Sequence, residues 1–371
     1  MNIPLSAPDI TDKERKAVLE VLKTPFLSLG PKQKEFEELA TSIAGRKYAV
    51  AVNSGTSGLH LIVRALGIKK GDEVITSPFS FIASSNCILF EGAKPVFADI
   101  EEKTLGIDPV KIEQAITKKT RAILAVDVFG HPAQWDEILR IAKKHKLRVI
   151  EDSAEAIGST YKGKPCGSFG DAAIFSFYPN KQVTTGEGGV VLTDSSEIAD
   201  QCRSMANQGR KVQGGKWLEH VQLGYNYRLS DIQCALGIAQ LKRLHEIMQK
   251  RAKVAGFYKK HLARIPEVQI PHVDSSASMS WFVYVIRLSE TFSRKDRDRV
   301  ISKLASKGVQ ARGYFEAIHL QPFYQNVLKT SSGQYPVAES VSARSIALPF
   351  YNKLTEKQVE YVADSLRSAL K

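Results

Sequence analysis

The sequence predicts an α/β protein with two domains, and three observations support this. Short apolar runs of β type alternate with segments in which apolar residues recur at helical spacing. Polar and glycine-rich residues follow the ends of several of these runs. The length of 371 residues exceeds that of a typical single domain. We expect a larger domain over residues 1–245 and a smaller C-terminal α/β domain over residues 246–371.

The first third of the chain is predicted to open with two helices and then alternate strands with helices. A capping box over residues 11–14 opens the first helix, and residues 28–31 (SLGP) break the chain before the second. Strands are predicted at residues 48–52, 74–76, 96–98 and 122–126. Helices are predicted through residues 59–66 and near residues 109–116.

The stretch from residue 149 to residue 194 carries the strongest signals. A β-type run at 147–150 ends in Glu151 and Asp152. A second run at 172–177 contains Ser176 and is soon followed by Lys181, and a glycine-rich segment occupies 184–189. Further on, residues 281–288 alternate as a strand, residues 292–307 form a charged helix and the chain ends in an amphipathic helix.

Asp152 and Lys181 both follow predicted strands of this sheet. The carboxyl ends of parallel strands meet in one crevice, where ligands bind. An amine and a carboxylate in one crevice suit pyridoxal phosphate, because the amine bonds the aldehyde as a Schiff base and the carboxylate keeps the pyridine nitrogen protonated. The loop 53–58 (NSGTSG), between a strand and a helix, offers backbone N–H groups to an anion, although an ordinary βα turn has the same composition.

Four motifs in this region resemble those of a known family. They are E-D-x-A-E-A-x-G from residue 151, G-x-x-G-D from 167, F-S-F-x-x-N-K from 175 and T-G-E-G-G from 185. The pattern is similar to that of the DegT/DnrJ/EryC1/StrS family, which are pyridoxal-phosphate aminotransferases acting on nucleotide-linked keto-sugars. The resemblance implies a fold type I aminotransferase, with a large, mostly parallel sheet of seven-stranded type and a smaller C-terminal α/β domain.

The resemblance implies roles for the residues around the cofactor ring. Lys181 would be the catalytic Schiff-base lysine, and Asp152 the partner of the ring nitrogen. Glu155, expected one helical turn beyond Asp152, would meet the ring hydroxyl, where many members carry Gln or His. Phe81 would cover the outer face of the ring.

The resemblance also implies a phosphate site. The family's S-G-T-x-A/G motif includes Gly55, Thr56 and Ser57 here, with phosphate contacts expected from Thr56 and Ser57. Ser176 would bind the same phosphate. Asn226, in the family's G-x-N-x-R motif, would reach the phosphate of the neighbouring subunit, so that a homodimer with shared active sites is expected.

On the substrate side, Tyr314 and His319 match a family segment that faces the sugar nucleotide, although a lone histidine is often structural. The amino donor is expected to be glutamate, and alternating half-reactions on donor and keto-sugar predict ping-pong kinetics. Two alternatives remain. One is a sugar dehydratase, in which His replaces the lysine, so Lys181 argues against it. The other is a regulatory relative without turnover.

Composition limits the partners. The net charge is +13. It fits either a solvated basic surface or an electrostatic field that attracts anionic substrates such as nucleotide diphosphates. The sequence has no dense run of Lys and Arg interleaved with aromatic residues, so nucleic-acid binding is not expected. Four scattered cysteines argue against zinc, and no metal site is predicted. The N-terminus lacks the apolar core of a signal peptide, and no run is long enough to span a membrane, so a cytoplasmic protein is expected.

Overall fold

The structure is a computed structural model that describes residues 1–212, 214 and 216–371. Its strands are β1 Tyr48–Val52, β2 Glu73–Thr76, β3 Lys94–Phe97, β4 Thr120–Val126, β5 Arg148–Asp152, β6 Thr160–Tyr161, β7 Lys164–Pro165, β8 Ala172–Ser176, β9 Gly189–Thr193, β10 Val268–Gln269, β11 Ala277–Ser278, β12 Tyr284–Leu288 and β13 Ser345–Leu348. Its helices are α1 Asp12–Leu22, α2 Pro31–Ala44, α3 Gly55–Ala65, α4 Ala83–Phe90, α5 Pro109–Ala115, α6 Trp135–His145, α7 Ser196–Ala206, α8 Asp231–Leu241, α9 Leu244–Leu262, α10 Arg294–Ser306, α11 Pro322–Leu328, α12 Pro336–Arg344 and α13 Glu356–Leu370.

The main sheet has seven strands in the order β1-β9-β8-β5-β4-β2-β3. The pairs β2/β3, β2/β4, β4/β5 and β5/β8 are parallel, and β9 runs antiparallel between β1 and β8. The mostly parallel seven-stranded sheet is therefore confirmed. Its carboxyl ends collect the loops that follow β1, β2, β4, β5 and β8 at one edge, where ligands of α/β sheets bind.

The sheet is buried on both faces, which explains its continuous apolar strands. Alternate residues of β1 enter different core clusters: Val50 and Val52 pack with α3, whereas Ala49 and Ala51 pack with α2 and α8. The same alternation in β8 separates Ile174 from Phe175. Helical layers on both faces hold the strand ends in fixed positions.

The C-terminal part forms a smaller layer of strands and helices. The antiparallel sheet β10-β12-β13 shares a core cluster with residues of α9, α10 and α13. Ile3, near the N-terminus, joins this cluster and bridges to Val309. Helix α9 begins at Leu244, so it continues past the predicted boundary. The division at residue 245 stays a prediction.

Two local expectations were wrong. The strand predicted from residue 281 begins at Tyr284, because Trp281 has a φ of +56°, which a β-strand does not accommodate. Glu155 does not lie on a helical turn: residues 153–158 form a chain of turns. Turn residues such as Ser153 and Gly158 compete with the helix in this segment. No helix in the part of the chain described here is long and apolar enough to cross a membrane.

The break at residues 28–31 packs against the start of α8. The Asp231 carboxylate accepts hydrogen bonds from the backbone N–H groups of Lys32 and Gln33, at 3.2 and 3.0 Å, and so caps helix α2 from a distant part of the chain. A Cβ at Gly30 would lie 2.3 Å from the Asp231 carboxylate, so glycine is required by close approach. This contact ties α2 to α8.

Replacing Asp231 with alanine is expected to lower the free energy of unfolding by about 1–2 kcal/mol, because two partly buried helix N–H groups lose their acceptor. Urea unfolding measures the change. Asp364→Ala, which removes an exposed carboxylate paired with Arg367, serves as the control and should change stability little. An equal loss in both variants would contradict the capping role.

Candidate active site

A cavity of about 390 Å³ opens at the carboxyl ends of the central strands. Val126, Asp152 and Ser176, the last residues of β4, β5 and β8, line it. Tyr314 and Phe315 close it from the C-terminal part. Its size falls within the usual range of small-molecule sites. The cavity brings together most of the site residues expected from the sequence: Gly55, Thr56, Phe81, Asp152, Glu155, Ser176, Lys181 and Tyr314.

Asp152 ends strand β5 and is only 4% exposed. Its Oδ2 accepts a hydrogen bond from the Ser84 hydroxyl at 2.7 Å, and its Oδ1 accepts one from the Ala154 N–H at 3.2 Å. Burial raises the pKa of Asp152 above its ordinary value, against the opposing effect of these bonds and of the Lys181 charge. A buried carboxyl of this kind fits a cationic ring N–H as its partner.

Lys181 follows strand β8 in the same cavity, with a side chain 12% exposed. Its Nζ lies 3.4 Å from Glu155 Oε1 and 4.0 Å from the centre of the Phe282 ring. The ammonium group is therefore held by one carboxylate and one aromatic face. Such an amine is positioned for chemistry rather than solvated on a loop.

Glu155 is fixed by its surroundings. Its Oε2 accepts a hydrogen bond from the Phe129 N–H at 2.8 Å, which leaves Oε1 facing Lys181. Its backbone carbonyl accepts one from Gln182 Nε2 at 2.6 Å. Burial raises the pKa of Glu155, while the nearby Lys181 charge acts in the opposite direction. The acid thus pairs with the lysine.

The opposite end of the cavity is the N-terminus of α3. Ser54 caps the helix and accepts from the Ser57 N–H, and Ser54, Gly55 and Thr56 line the cavity. A Cβ at Gly55 would come within 3.2 Å of the Ser176 hydroxyl, so the helix start lies directly against the end of β8. The free backbone N–H groups at the start of α3, beside the hydroxyls of Thr56 and Ser176, form a site suited to phosphate.

Three expected site residues lie outside the cavity lining. The Ser57 hydroxyl donates to Asn53 Oδ1 at 2.6 Å, within the loop itself. Asn226 pairs with Asn207 in an isolated bridge, and its carbonyl accepts from the side chain of Asn53. His319 is fully buried, with Nε2 3.0 Å from Glu339 Oε1, and it packs edge-on against Tyr335.

Phe81 stands at the mouth of the cavity with 58% of its surface exposed. Tyr178, half exposed, lies at the same rim. Both follow strand ends, β2 and β8, so their positions derive from the sheet. An exposed aromatic pair at a cavity mouth suits a flat ligand or a second protein surface.

Several other lining residues were not assigned to the site from the sequence. They are Ser54, Ser80, Ser84, Tyr178, Asn180, Glu187 and Phe315. The buried Asn180 Oδ1 has no hydrogen-bond partner among the described residues, although it borders the cavity next to Lys181. An orphaned acceptor at this point is available to a bound molecule. No local pattern in the sequence links Ser80 and Ser84 to the site, because Ser80 lies in the loop before α4, which begins at Ala83.

A second acidic pair lies beneath the site. The Ser153 hydroxyl bonds the carboxyl groups of both Asp127 and Glu151. Glu151 also accepts from the N–H groups of Gly167 and Phe169. Burial raises the pKa of both acids, and the nearby Asp127 charge raises the pKa of Glu151 further. The pair anchors the loops around the end of β5.

Taken together, the lining residues fit pyridoxal phosphate. A buried acid, an amine and a helix N-terminus line one cavity. The orphaned Asn180 acceptor adds a polar contact for a bound molecule.

Comparisons with known proteins agree with this arrangement. The model of the DegT/DnrJ/EryC1/StrS aminotransferase family matches residues 8–367. The GDP-perosamine synthase of Caulobacter vibrioides is 39% identical, covering 99% of this chain and 98% of that protein. The spore coat polysaccharide biosynthesis protein SpsC of Bacillus subtilis is 38% identical, covering 100% and 97%.

Solved structures extend the agreement to the fold. Spr1654 of Streptococcus pneumoniae matches with a TM-score of 0.94 and 30% identity in both its PLP and its PMP form, covering 100% of this chain and 99% of that chain. The expectations of a pyridoxal-phosphate cofactor and of an aminotransferase are confirmed. The chain belongs to the DegT/DnrJ/EryC1/StrS aminotransferase family.

Proposed function

We propose that this protein transfers an amino group from an amino acid, glutamate in preference, to a nucleotide-linked keto-sugar used in polysaccharide or glycan synthesis. The observation that carries the proposal is the placement of Asp152 and Lys181 in one cavity beside a helix N-terminus. The names of the relatives, a GDP-perosamine synthase and a polysaccharide biosynthesis protein, support the sugar substrate. A cytoplasmic location is part of the proposal.

Different residues hold different parts of the cofactor in this proposal. When bound, pyridoxal phosphate supplies an aldehyde that condenses with amines and a ring that withdraws electrons from the carbon next to that nitrogen. Asp152 holds the proton on the ring nitrogen, and Lys181 provides the amine that retains the cofactor. The N-terminus of α3, with Thr56 and Ser176, binds the phosphate, while Phe81 covers the ring.

Lys181 also moves the proton. With the cofactor bound, the Lys181 amine would act as the general base that moves the proton at the donor carbon, and it would play the same part toward the keto-sugar. Glu155, 3.4 Å from Lys181 Nζ, keeps the amine within reach and meets the ring hydroxyl. The same residues serve the keto-sugar in reverse, so the kinetics are ping-pong.

Tyr314 is the substrate contact that the geometry favours. It lines the cavity from the side opposite the sheet and stacks on Phe129 with ring centres 5.8 Å apart. For His319 the burial supports a structural role, since Glu339 and Tyr335 enclose it. The net charge of +13 favours an anionic nucleotide diphosphate as the substrate handle.

A homodimer with shared sites is part of the same proposal. Four apolar side chains shortly before Asn226 are exposed: Trp217 at 87%, Leu218 at 44%, Val221 at 54% and Leu223 at 65%. Surfaces of this kind are usually covered by a partner. A second copy would cover them and would bring Asn226 to the phosphate end of the neighbouring cavity.

Lys181→Ala is expected to lower the rate of the glutamate half-reaction by roughly 100- to 10,000-fold or more, because it removes both the amine and the general base. The holoenzyme spectrum measures this: wild-type protein should show a visible band that shifts on addition of glutamate, and the variant should not respond.

Lys162→Ala is the matched control for this change. Lys162 is an exposed loop lysine paired with Asp136, and its loss should leave the spectrum unchanged. A wild-type band that responds to no amino donor would contradict the aminotransferase proposal and favour a lyase or a regulator. A panel of nucleotide-linked keto-sugars then identifies the acceptor.

Asn226→Ala tests the shared site by complementation with Lys181→Ala. If Asn226 serves the neighbouring subunit, dimers formed from one copy of each variant contain one intact site. Half of the dimers in an equal mixture are mixed, so activity at limiting cofactor should reach about a quarter of the wild-type value. Each variant alone should be far less active.

The mixture is prepared by unfolding and refolding the two variants together, with wild-type protein treated in the same way as the control. Activity equal to the mean of the separate variants would show that Asn226 acts within its own subunit. A monomeric mass in solution would contradict the dimer itself.

A further inference from the structure

Ser84 is the second residue of helix α4 and is almost completely buried, with 1% of its surface exposed. Its hydroxyl lies 2.7 Å from Asp152 Oδ2 and 2.9 Å from the Ser80 hydroxyl, and Ser80 is 4% exposed. Both serines line the same cavity as Lys181. They belong to a different element from Asp152, so the contact joins the β2–α4 connection to the end of β5.

The direction of the bonds follows from the acceptor. An ionised carboxylate only accepts hydrogen bonds, so Ser84 donates its proton to Asp152. The Ser84 oxygen is then free to accept from Ser80, which completes a chain from Ser80 through Ser84 to Asp152. Hydrogen bonds that point in one direction polarise one another and strengthen the last bond, here the one to the charged group.

The remaining contacts of Asp152 show how much depends on this bond. Its other oxygen has one donor, the Ala154 N–H at 3.2 Å. Burial alone favours the neutral acid, which would not balance a cationic ring nitrogen. Ser84 therefore supplies the shorter of the two bonds that favour the charged form.

We propose that Ser84 is a positioning residue that holds Asp152 as an oriented carboxylate toward the cofactor's ring nitrogen, with Ser80 as its support. This inference rests on the proposed function, in which Asp152 meets that nitrogen. Ser84 acts through Asp152 and makes no contact with the reacting carbon.

Ser84→Ala should weaken the binding of pyridoxal phosphate about tenfold, since a hydrogen bond to a charged group is lost. Titration of the full-length protein, freed of cofactor, with pyridoxal phosphate measures this. In the loaded variant kcat of the glutamate half-reaction should fall with the KM for glutamate unchanged. The nitrogen-15 shift of labelled cofactor should move toward the unprotonated ring.

Three further variants give the test its controls. Ser85→Ala removes a fully buried hydroxyl one residue along α4, away from Asp152, and should change none of these readouts. Ser84→Thr keeps the hydroxyl and should restore the nitrogen-15 shift. Ser80→Ala should act in the same direction as Ser84→Ala but by a smaller factor, because it removes only the support.

The outcomes separate this inference from the proposed function. If Asp152→Asn moves the nitrogen-15 shift and Ser84→Ala does not, the role of Ser84 is wrong and that of Asp152 stands. If neither variant moves it, the assignment of Asp152 itself fails. An equal effect of Ser84→Ala and Ser85→Ala on all readouts would show general damage to α4 and overturn the positioning role.

Discussion

The burial of one carboxyl group at the end of a central strand governs the site. Asp152 is 4% exposed and has no cation within ion-pair distance among the described residues. A buried charge without compensation is expensive, so the surroundings must either neutralise it or bind a cation. Ser84 and the Ala154 N–H compensate in part. In the proposed function a protonated ring nitrogen would complete the balance, so the cavity would be built around a charge that its ligand satisfies.

The support of Asp152 extends below it. Glu151, its neighbour on β5, points away from the cavity into the hydrogen-bonded group formed with Ser153 and Asp127. The side chains of a strand alternate between faces, so the two acids of one dipeptide serve different purposes. Asp152 lines the cavity, whereas Glu151 holds the loop that contains Gly167 and Phe169.

The phosphate end of the cavity must bind an anion with little positive charge nearby. Lys181 is the sole cation among the residues that line the cavity, and Glu155 already holds it. A phosphate dianion therefore depends on the N-terminus of α3 and on hydroxyl groups. These supply partial charges only, which makes an additional polar contact from a neighbouring subunit physically reasonable. The second copy in the proposed homodimer would supply that contact and would also cover the exposed apolar side chains near Asn226.

The sequence was a good guide where the signal was local. Strand ends placed Asp152, Ser176 and Lys181 correctly, because period and turn residues determine where a strand stops. It failed for Glu155, which lies on turns rather than a helix, and it did not anticipate the full burial of His319.

Contacts between distant segments were beyond its reach. Ser84 meets Asp152 across 68 positions, and nothing near Ser84 in the sequence indicates which strand end it will contact. Such contacts depend on strand order, and the crossovers that place β4 between β2 and β5 leave no local pattern.

The residues proposed to bind the cofactor and those proposed to face the substrate lie in different parts of the chain. The sequence therefore predicts the reaction better than it predicts the substrate. Asp152 and Ser176 end strands, Gly55 and Thr56 begin a helix, and two core clusters pack around these elements. Tyr314 and Phe315 instead belong to an irregular segment after α10, which carries no periodic signal. In the proposed function, changes there would reshape the wall that faces the sugar without disturbing Asp152 or Lys181, so that substrate choice is physically separated from catalysis.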